Sequence, residues 1–228
     1  MSRAVFITGT STDVGKTFVS GLILKKLRAG KISAGYYKAA LSGAEEAGGI
    51  LVPGDAKYVC DVSGIKENPQ TLVSFIYKTP VSPHLAARIE RQPVDLEKIE
   101  RDFNSLKSVY EYITVEGSGG LVCPLRVDDK IIMLTDVIKS LNLDIVIVAS
   151  SLLGTINSTV LTVEYAKKLN IAVKGVIMNY FDENDFMHMD NKKQIEKFTG
   201  VPVIASVSKN SQDIGAEAEV IKRLYKEV

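Results

Sequence analysis

The chain is short of the residues that most often announce a chemistry. It has two cysteines and two histidines in 228 residues. Cys60 and Cys123 stand too far apart in sequence for a paired-ligand metal motif, so the expected reading is two reduced thiols in a cytoplasmic protein. Neither His84 nor His188 has a partner at a recognisable spacing, and no Ser/His/Asp or Cys/His arrangement stands out. Net charge is equally sparse. A formal +1 supplies no field suited to nucleic acid or to an anionic membrane. No basic-apolar-small leader opens the chain, since Val5–Ile7 runs straight into Thr-Gly-Thr. The longest apolar region, Ile145–Leu153, falls far short of a membrane span. With 46% hydrophobic and 24% charged residues and only 7 Pro, the composition is that of a soluble globular protein, expected as one domain over 1–228.

What is present is a strong alternation. Short β-rich runs are expected at Ala4–Thr8, Ala34–Tyr37, Ile113–Glu116, Asp144–Ala149, Val173–Met178 and Val203–Ala205. Two of them, Ile145–Val148 and Val173–Met178, are nearly continuous apolar stretches, as parallel strands covered on both faces require. Helical periodicity lies between them. Lys16–Ala29 carries Val19, Leu22, Ile23 and Leu27 on one face. Asp95–Leu106 carries Leu96, Ile99, Phe103 and Leu106, with Asp95 placed to cap its start. Asn157–Leu169, Asn191–Phe198 and Glu217–Lys226 follow the same rule. The pattern predicts a doubly wound α/β fold, its sheet mainly parallel with helices on both faces, and ligands bind such sheets beyond the carboxyl ends of the strands. Ser42–Asp55 and Phe181–Asp190 read as a mobile surface loop and a solvated loop.

The stretch Ala4–Thr17 is the functional anchor: an apolar run, a small polar loop, then Gly15-Lys16-Thr17 leading into a helix. Backbone N–H groups of such a loop face phosphate oxygens, a lysine adds a compact charge, and the threonine hydroxyl can ligate Mg²⁺. The common spacing puts a glycine five residues before Gly15, where this chain has Thr10; Gly9 lies one further back. The fold class is therefore P-loop NTPase-like with a variant, lengthened phosphate loop. Glu116 ends an expected central strand before Gly117-Ser-Gly-Gly120, where an acid can hold Mg²⁺ beside the loop and glycines let backbone approach a ligand. Asp55 after Pro53-Gly54 reads as a helix cap or as a third oxygen donor. Lys38, at the end of the second strand, points into the same crevice as Lys16 if that strand lies beside the first. Two ammonium groups there suit a reaction that gathers negative charge.

Together, Gly9–Thr17, Ala34–Lys38 with Ser42-Gly43, Asp55, Ser82-Pro-His84, Val115–Gly120 and Leu153–Asn157 resemble the dethiobiotin synthase family over essentially the whole chain. The resemblance implies an ATP-dependent ring closure. ATP, CO₂ and 7,8-diaminononanoate would be the substrates; dethiobiotin, ADP and phosphate would be the products. It implies Mg²⁺ held by Thr17, Asp55 and Glu116, and phosphates wrapped by Asp13, Val14, Gly15, Lys16 and Thr17. Phe18, Gly117 and Gly119 would complete the nucleotide site, and Asn179 would meet the adenine edge. Lys38 and Lys16 would flank a carbamate, with Thr12 and Ser42 at the diamine and Ser82 nearby. The family works as a homodimer, so Gly154, Thr155 and Asn157 of one subunit would hold the fatty-acid carboxylate at the partner's site. Ala39-Ala40 after Lys38 departs from the family's Tyr-Lys-Pro, Asp13 stands where Glu is common, and Ser206–Asn210 lacks the expected proline. A different class shares this type of loop, the partition and division-site ATPases that switch on DNA or membrane. Those carry a signature lysine at the position of Ser11, and this chain has no basic stripe or terminal basic helix. The amidoligase relatives need a second, glutamine-hydrolysing domain for which 228 residues leave no room.

Overall fold

A computed structural model describes residues 1–228. In chain order it contains β1 (Arg3–Gly9), α1 (Lys16–Ala29), β2 (Ala34–Ser42), β3 (Glu45–Ala47), β4 (Ile50–Val52) and α2 (Gly54–Ser63). There follow β5 (Val73–Tyr77), α3 (Pro83–Ile89), α4 (Leu96–Lys107), β6 (Tyr112–Gly120), β7 (Pro124–Val127), β8 (Ile131–Met133) and α5 (Leu134–Ser140). The rest is β9 (Ile145–Ser150), α6 (Thr155–Lys168), β10 (Val173–Asn179), α7 (Phe186–Thr199), β11 (Val203–Val207), α8 (Ala218–Lys222) and β12 (Lys226–Glu227).

The main sheet has the order β11-β10-β9-β1-β6-β2-β5, all neighbours parallel, with the short β12 antiparallel to the start of β1. This is the expected doubly wound sheet. Side chains of each strand alternate between two cores, as a period of two dictates. Phe6, Tyr37, Val115 and Ile147 join the face covered by α3 to α7. Val5, Ile7, Tyr36, Val146 and Val148 join the face covered by α1, α2 and α8. β9 is buried from Ile145 to Ala149 because both faces are covered. Each such aliphatic or Phe side chain contributes about 1.5–3 kcal/mol when fully buried. Close approach also fixes one glycine. A Cβ on Gly35 in β2 would sit 2.3 Å from the Tyr110 ring.

The helical periodicities of α1 and α4 hold. Val19, Leu22, Ile23 and Leu27 are buried, as are Ile99 and Phe103, and the Asp95 carboxylate accepts from Lys98 N at 3.1 Å. Several expectations need correction. Lys38 does not end its strand: with Ala39-Ala40 in place of proline, β2 runs on to Ser42. Glu116 likewise lies inside β6, which runs on through its glycines, with an irregularity in register, to pair Gly120 with Gly9. β2 is not beside β1; β6 lies between them. Ser42–Asp55 holds the exposed hairpin β3–β4 and the first turn of α2 rather than a structureless loop. Phe181–Asp190 is half helical, since Asp185 caps α7 by accepting from Met187 N and His188 N. His188 is buried there, accepting from Asp182 N at Nδ1 (3.1 Å). The last predicted helix shrinks to Ala218–Lys222 because the chain turns to add β12 to the sheet. No helix is long and apolar enough to cross a membrane.

Candidate active site

The site begins at the turn from β1 to α1. Gly15 occupies the N-cap position of α1 with φ +88, and neither a capping side chain nor an acid sits in the first turn. The helix therefore starts with free N–H groups and an uncompensated positive dipole end, the arrangement that receives an anion. The loop is held open from the other side. Asn179, ending β10, donates Nδ2–H to the Val14 carbonyl at 3.0 Å, and the Tyr180 hydroxyl donates to the Asp13 carbonyl at 3.1 Å. Only glycine fits position 15, because a Cβ there would lie 2.0 Å from Asn179 Nδ2. Lys16 is buried, with Nζ donating to the Ser11 carbonyl at 3.1 Å.

Register then brings the acids in. Lys38 of β2 lies directly opposite Glu116 of β6, and Glu116 opposite Ile7 of β1. Lys38 Nζ is 2.7 Å from Glu116 Oε1 and 2.8 Å from Asp55 Oδ2, and it also donates to the Gly117 carbonyl at 3.3 Å. The Thr17 hydroxyl donates to the same Glu116 Oε1 at 2.9 Å. So Oε1 takes two donors while Oε2, equally buried, takes none. Burial alone would lower the Lys38 pKa, but the Glu116 carboxylate, helped by Asp55, outweighs it and holds the ammonium above the usual lysine range. Asp55 is pulled up by burial yet ends below the usual carboxylate range because of Lys38. Lys16 moves the other way: burial first, then repulsion from Lys38, lowers it. A polyanion in the crevice would relieve that repulsion.

Thr17, Asp55 and Glu116 converge on this point, and the chain has no group of three His, Cys, Asp or Glu side chains positioned for a metal. Two carboxylates and a hydroxyl are hard oxygen donors, and Glu116 Oε2 is buried without a partner. That set fits Mg²⁺, which keeps part of its shell for phosphate oxygens and water.

One cavity of about 640 Å³ gathers most of the expected residues: Thr12, Asp13, Gly15, Lys16, Thr17 and Phe18 from the loop and α1, with Lys38, Ser42, Asp55 and Glu116. Tyr58 and Tyr180 also line it. The sequence reading missed both; for Tyr180 the available signal was its place directly after the strand-ending Asn179. Other expected residues lie elsewhere. Val14 is buried behind the loop, and Gly117 is glycine for packing, since a Cβ would fall 2.8 Å from the Phe6 ring. Gly119, at φ +63, lies near Thr12. The Asn179 amide is spent on Val14, leaving a buried Oδ1 with no partner. Ser82 is exposed at the start of α3, outside the cavity lining. Gly154, Thr155 and Asn157 form the start of α6, away from this chain's own cavity; Gly154 has φ +92 and no side chain caps the helix. A second cavity, about 650 Å³, adjoins at Tyr180 and includes Ser206, Ser208, Lys209 and Asn210. Both cysteines are free and buried, each thiol pushed up to about 11, chiefly by burial.

A family model described as an AAA domain matches residues 3–216. An ATP-dependent dethiobiotin synthetase BioD of Clostridium botulinum (strain Alaska E43 / Type E3) is 49% identical over 225 residues, 99% of each chain. The protein of that name from Clostridium perfringens (strain 13 / Type A) is 50% identical over 209 residues, 92% of each. Among solved structures, a plasmid partition protein from Borrelia burgdorferi superposes with a TM-score of 0.59 at 15% identity, covering 98% of this chain and 97% of its own. The MinD cell division protein of Aquifex aeolicus gives 0.57 at 12% identity, covering 98% and 97%. At such low identity the likeness shows the fold alone.

Proposed function

The chain belongs to the ATP-dependent dethiobiotin synthetase family of ligases, and from that membership we propose that it closes the ureido ring of dethiobiotin from 7,8-diaminononanoate, CO₂ and ATP. The observation that carries the reading is the second buried ammonium. Lys38 lines the same cavity as the phosphate-loop lysine, together with Thr12 and Ser42, and is held there by Glu116 and Asp55. The switch class places its extra lysine on the loop, where this chain has Ser11.

CO₂ adds to one amine of the diamine, which loses a proton and becomes a carbamate. The carbamate oxygen attacks the γ-phosphorus of ATP as ADP leaves, giving a carbamic–phosphoric anhydride. The second amine attacks its carbonyl carbon, phosphate departs with the C–O bond's electron pair, the amine gives up a proton, and the ring is closed. The central difficulty is bringing one anion onto another. The open N–H groups of α1 and Lys16 receive the phosphates, and Lys38 faces the carbamate, so attractive charge stands on both sides of the forming bond. When bound, Mg²⁺ held by Thr17, Asp55 and Glu116 supplies further screening between the two anions. Positioning suffices, in keeping with a cavity that contains no histidine. The buried Asn179 Oδ1 suits an exocyclic amino donor of adenine, and the adjoining cavity at Ser206–Asn210 suits the base. The uncapped start of α6 at Gly154, Thr155 and Asn157 suits a carboxylate, contributed across a homodimer. Exposed Leu152 and Leu153 beside it are consistent with that interface. The reaction belongs in the cytoplasm.

Mass detection of one ureido product per ADP, from diamine, bicarbonate and Mg-ATP, tests this. Hydrolysis of ATP without that product, stimulated instead by DNA or lipid, would return the chain to the switch class. Lys38→Ala should slow the single-turnover chemical step far more than it weakens ATP binding; equal single-turnover rates would remove Lys38 from the mechanism.

A further inference from the structure

Three separate observations meet at Tyr180. It lines both cavities, the one around the phosphate loop and the polar one beside it. Its hydroxyl donates to the Asp13 carbonyl at 3.1 Å. Its backbone has φ +59, the left-handed region that a residue with a bulky ring rarely occupies, and Asp13 at the other end of that hydrogen bond has φ +59 as well. Strain of this kind persists where surrounding structure enforces it, and such places cluster at ligand clamps. Here a strained residue within the phosphate loop and a strained residue just after β10 hold each other.

We propose that Tyr180 is a nucleotide-positioning residue. Its ring is the wall along which the sugar of a nucleoside polyphosphate passes from one cavity to the next, and its hydroxyl holds the loop in its anion-binding form. This rests on the nucleotide reading of the site given above. If phosphates sit at the start of α1, the nucleoside must leave past Gly15, and a Cβ built on Gly15 would lie 3.6 Å from the Tyr180 hydroxyl. The path to the second cavity therefore runs beside the tyrosine. The two roles separate chemically. The hydroxyl acts on the loop and hence on any polyphosphate, whereas the ring acts only on a ligand that carries a sugar and base.

The experiment measures calorimetric binding of ADP and of inorganic tripolyphosphate to the parent, Tyr180→Phe and Tyr180→Asn, with thermal melting alongside. Asparagine accepts a left-handed backbone, so the second variant removes the ring without adding strain. Tyr180→Phe should weaken both ligands by one common factor, roughly two- to tenfold, the range of one lost neutral hydrogen bond. Tyr180→Asn should weaken ADP by a further factor of about ten while leaving tripolyphosphate where Tyr180→Phe left it, and KM for ATP should rise with KM for the diamine unchanged. Variants that bind ADP as the parent does would overturn the inference. So would a Tyr180→Asn protein that loses tripolyphosphate as fully as ADP, since that is the mark of a merely structural residue. A parent that binds no ADP would instead overturn the nucleotide reading, and this inference with it.

Discussion

Lys38→Met removes the ammonium at the centre of the site while keeping an unbranched stem of similar length. Its consequence can be worked out from the contacts. Nζ lies 2.7 Å from Glu116 Oε1, with the two side chains 5% and 0% exposed. Taking one partner from a buried pair leaves a buried charge uncompensated and costs about 3–5 kcal/mol. The pair with Asp55 adds little, because that side chain is 38% exposed and water screens it. In a chain of this length each kcal/mol moves the melting midpoint by about 2–4 °C, so the variant should melt about 6–20 °C lower at neutral pH. A divalent cation can replace the missing charge. Millimolar Mg²⁺ should therefore restore much of the loss in the variant and shift the parent far less, by the usual linkage of ligand binding to stability. The pH dependence has a definite sign. Lys38 is raised, so its contribution is complete below the ordinary lysine range and is lost only as pH climbs through the raised value. Asp55 is depressed, so its contribution is present above the ordinary carboxylate range and is lost as pH falls through the depressed value. Without the ammonium, protonating the acids becomes a relief, and the gap between parent and variant should narrow in acid. Scanning calorimetry at neutral and acid pH, with and without Mg²⁺, reads all of this. A variant that melts within about 2 °C of the parent at neutral pH, or that responds to Mg²⁺ no more than the parent, would refute the reasoning.

Other parts of the fold make their own demands. Gly35→Ala should destabilise by about 1–3 kcal/mol, because its Cβ would meet the Tyr110 ring at 2.3 Å, and denaturant melts should show a lower midpoint at unchanged slope; a neutral result would mean the ring can step aside. Neither cysteine should react measurably with a disulfide reagent at neutral pH in the folded protein, since both thiols are buried and pushed up to about 11. Rapid labelling under native conditions would count against the packing around Cys60 or Cys123. Gly15→Ala should fold yet lose nucleotide binding, as its methyl would displace the Asn179 amide from the Val14 carbonyl. Calorimetric titration with ADP checks it, and parent-like affinity would mean the loop does not depend on that clamp.

The parts of the site legible in the sequence were those that chemistry confines to local motifs. Gly15-Lys16-Thr17 announces itself because strand, loop and helix start are contiguous, and Glu116 because an acid stands between an apolar strand and a run of glycines; Asp55 by itself reads equally as a helix cap. What sequence could not supply was register. Lys38 and Glu116 meet because two strands 78 residues apart are aligned opposite one another, with β6 interposed between β1 and β2. No periodicity in either segment encodes that. The edge strand β5 went unread because it is one short run, Val73–Tyr77, paired on one side only. The buried His188 was hidden because the apolar residues beside it, Phe186 and Met189, stay exposed while the imidazole packs against Phe181.

The comparison with partition and division-site proteins sharpens what separates the two classes. They share this sheet, so neither the strand order nor the phosphate loop can decide between a switch and a ligase. The difference must lie in what the crevice offers beyond the phosphates. At the position of the switch-class signature lysine this chain has Ser11, an exposed residue whose carbonyl accepts from Lys16, so no extra cation joins the loop from that side. The second cation arrives instead from β2, where it touches both carboxylates and lines the same cavity as Thr12 and Ser42. A lysine placed on the loop strengthens the grip on the nucleotide itself. One brought in by β2 sets a second positive centre in the same cavity, an arrangement that suits the anionic co-substrate proposed above.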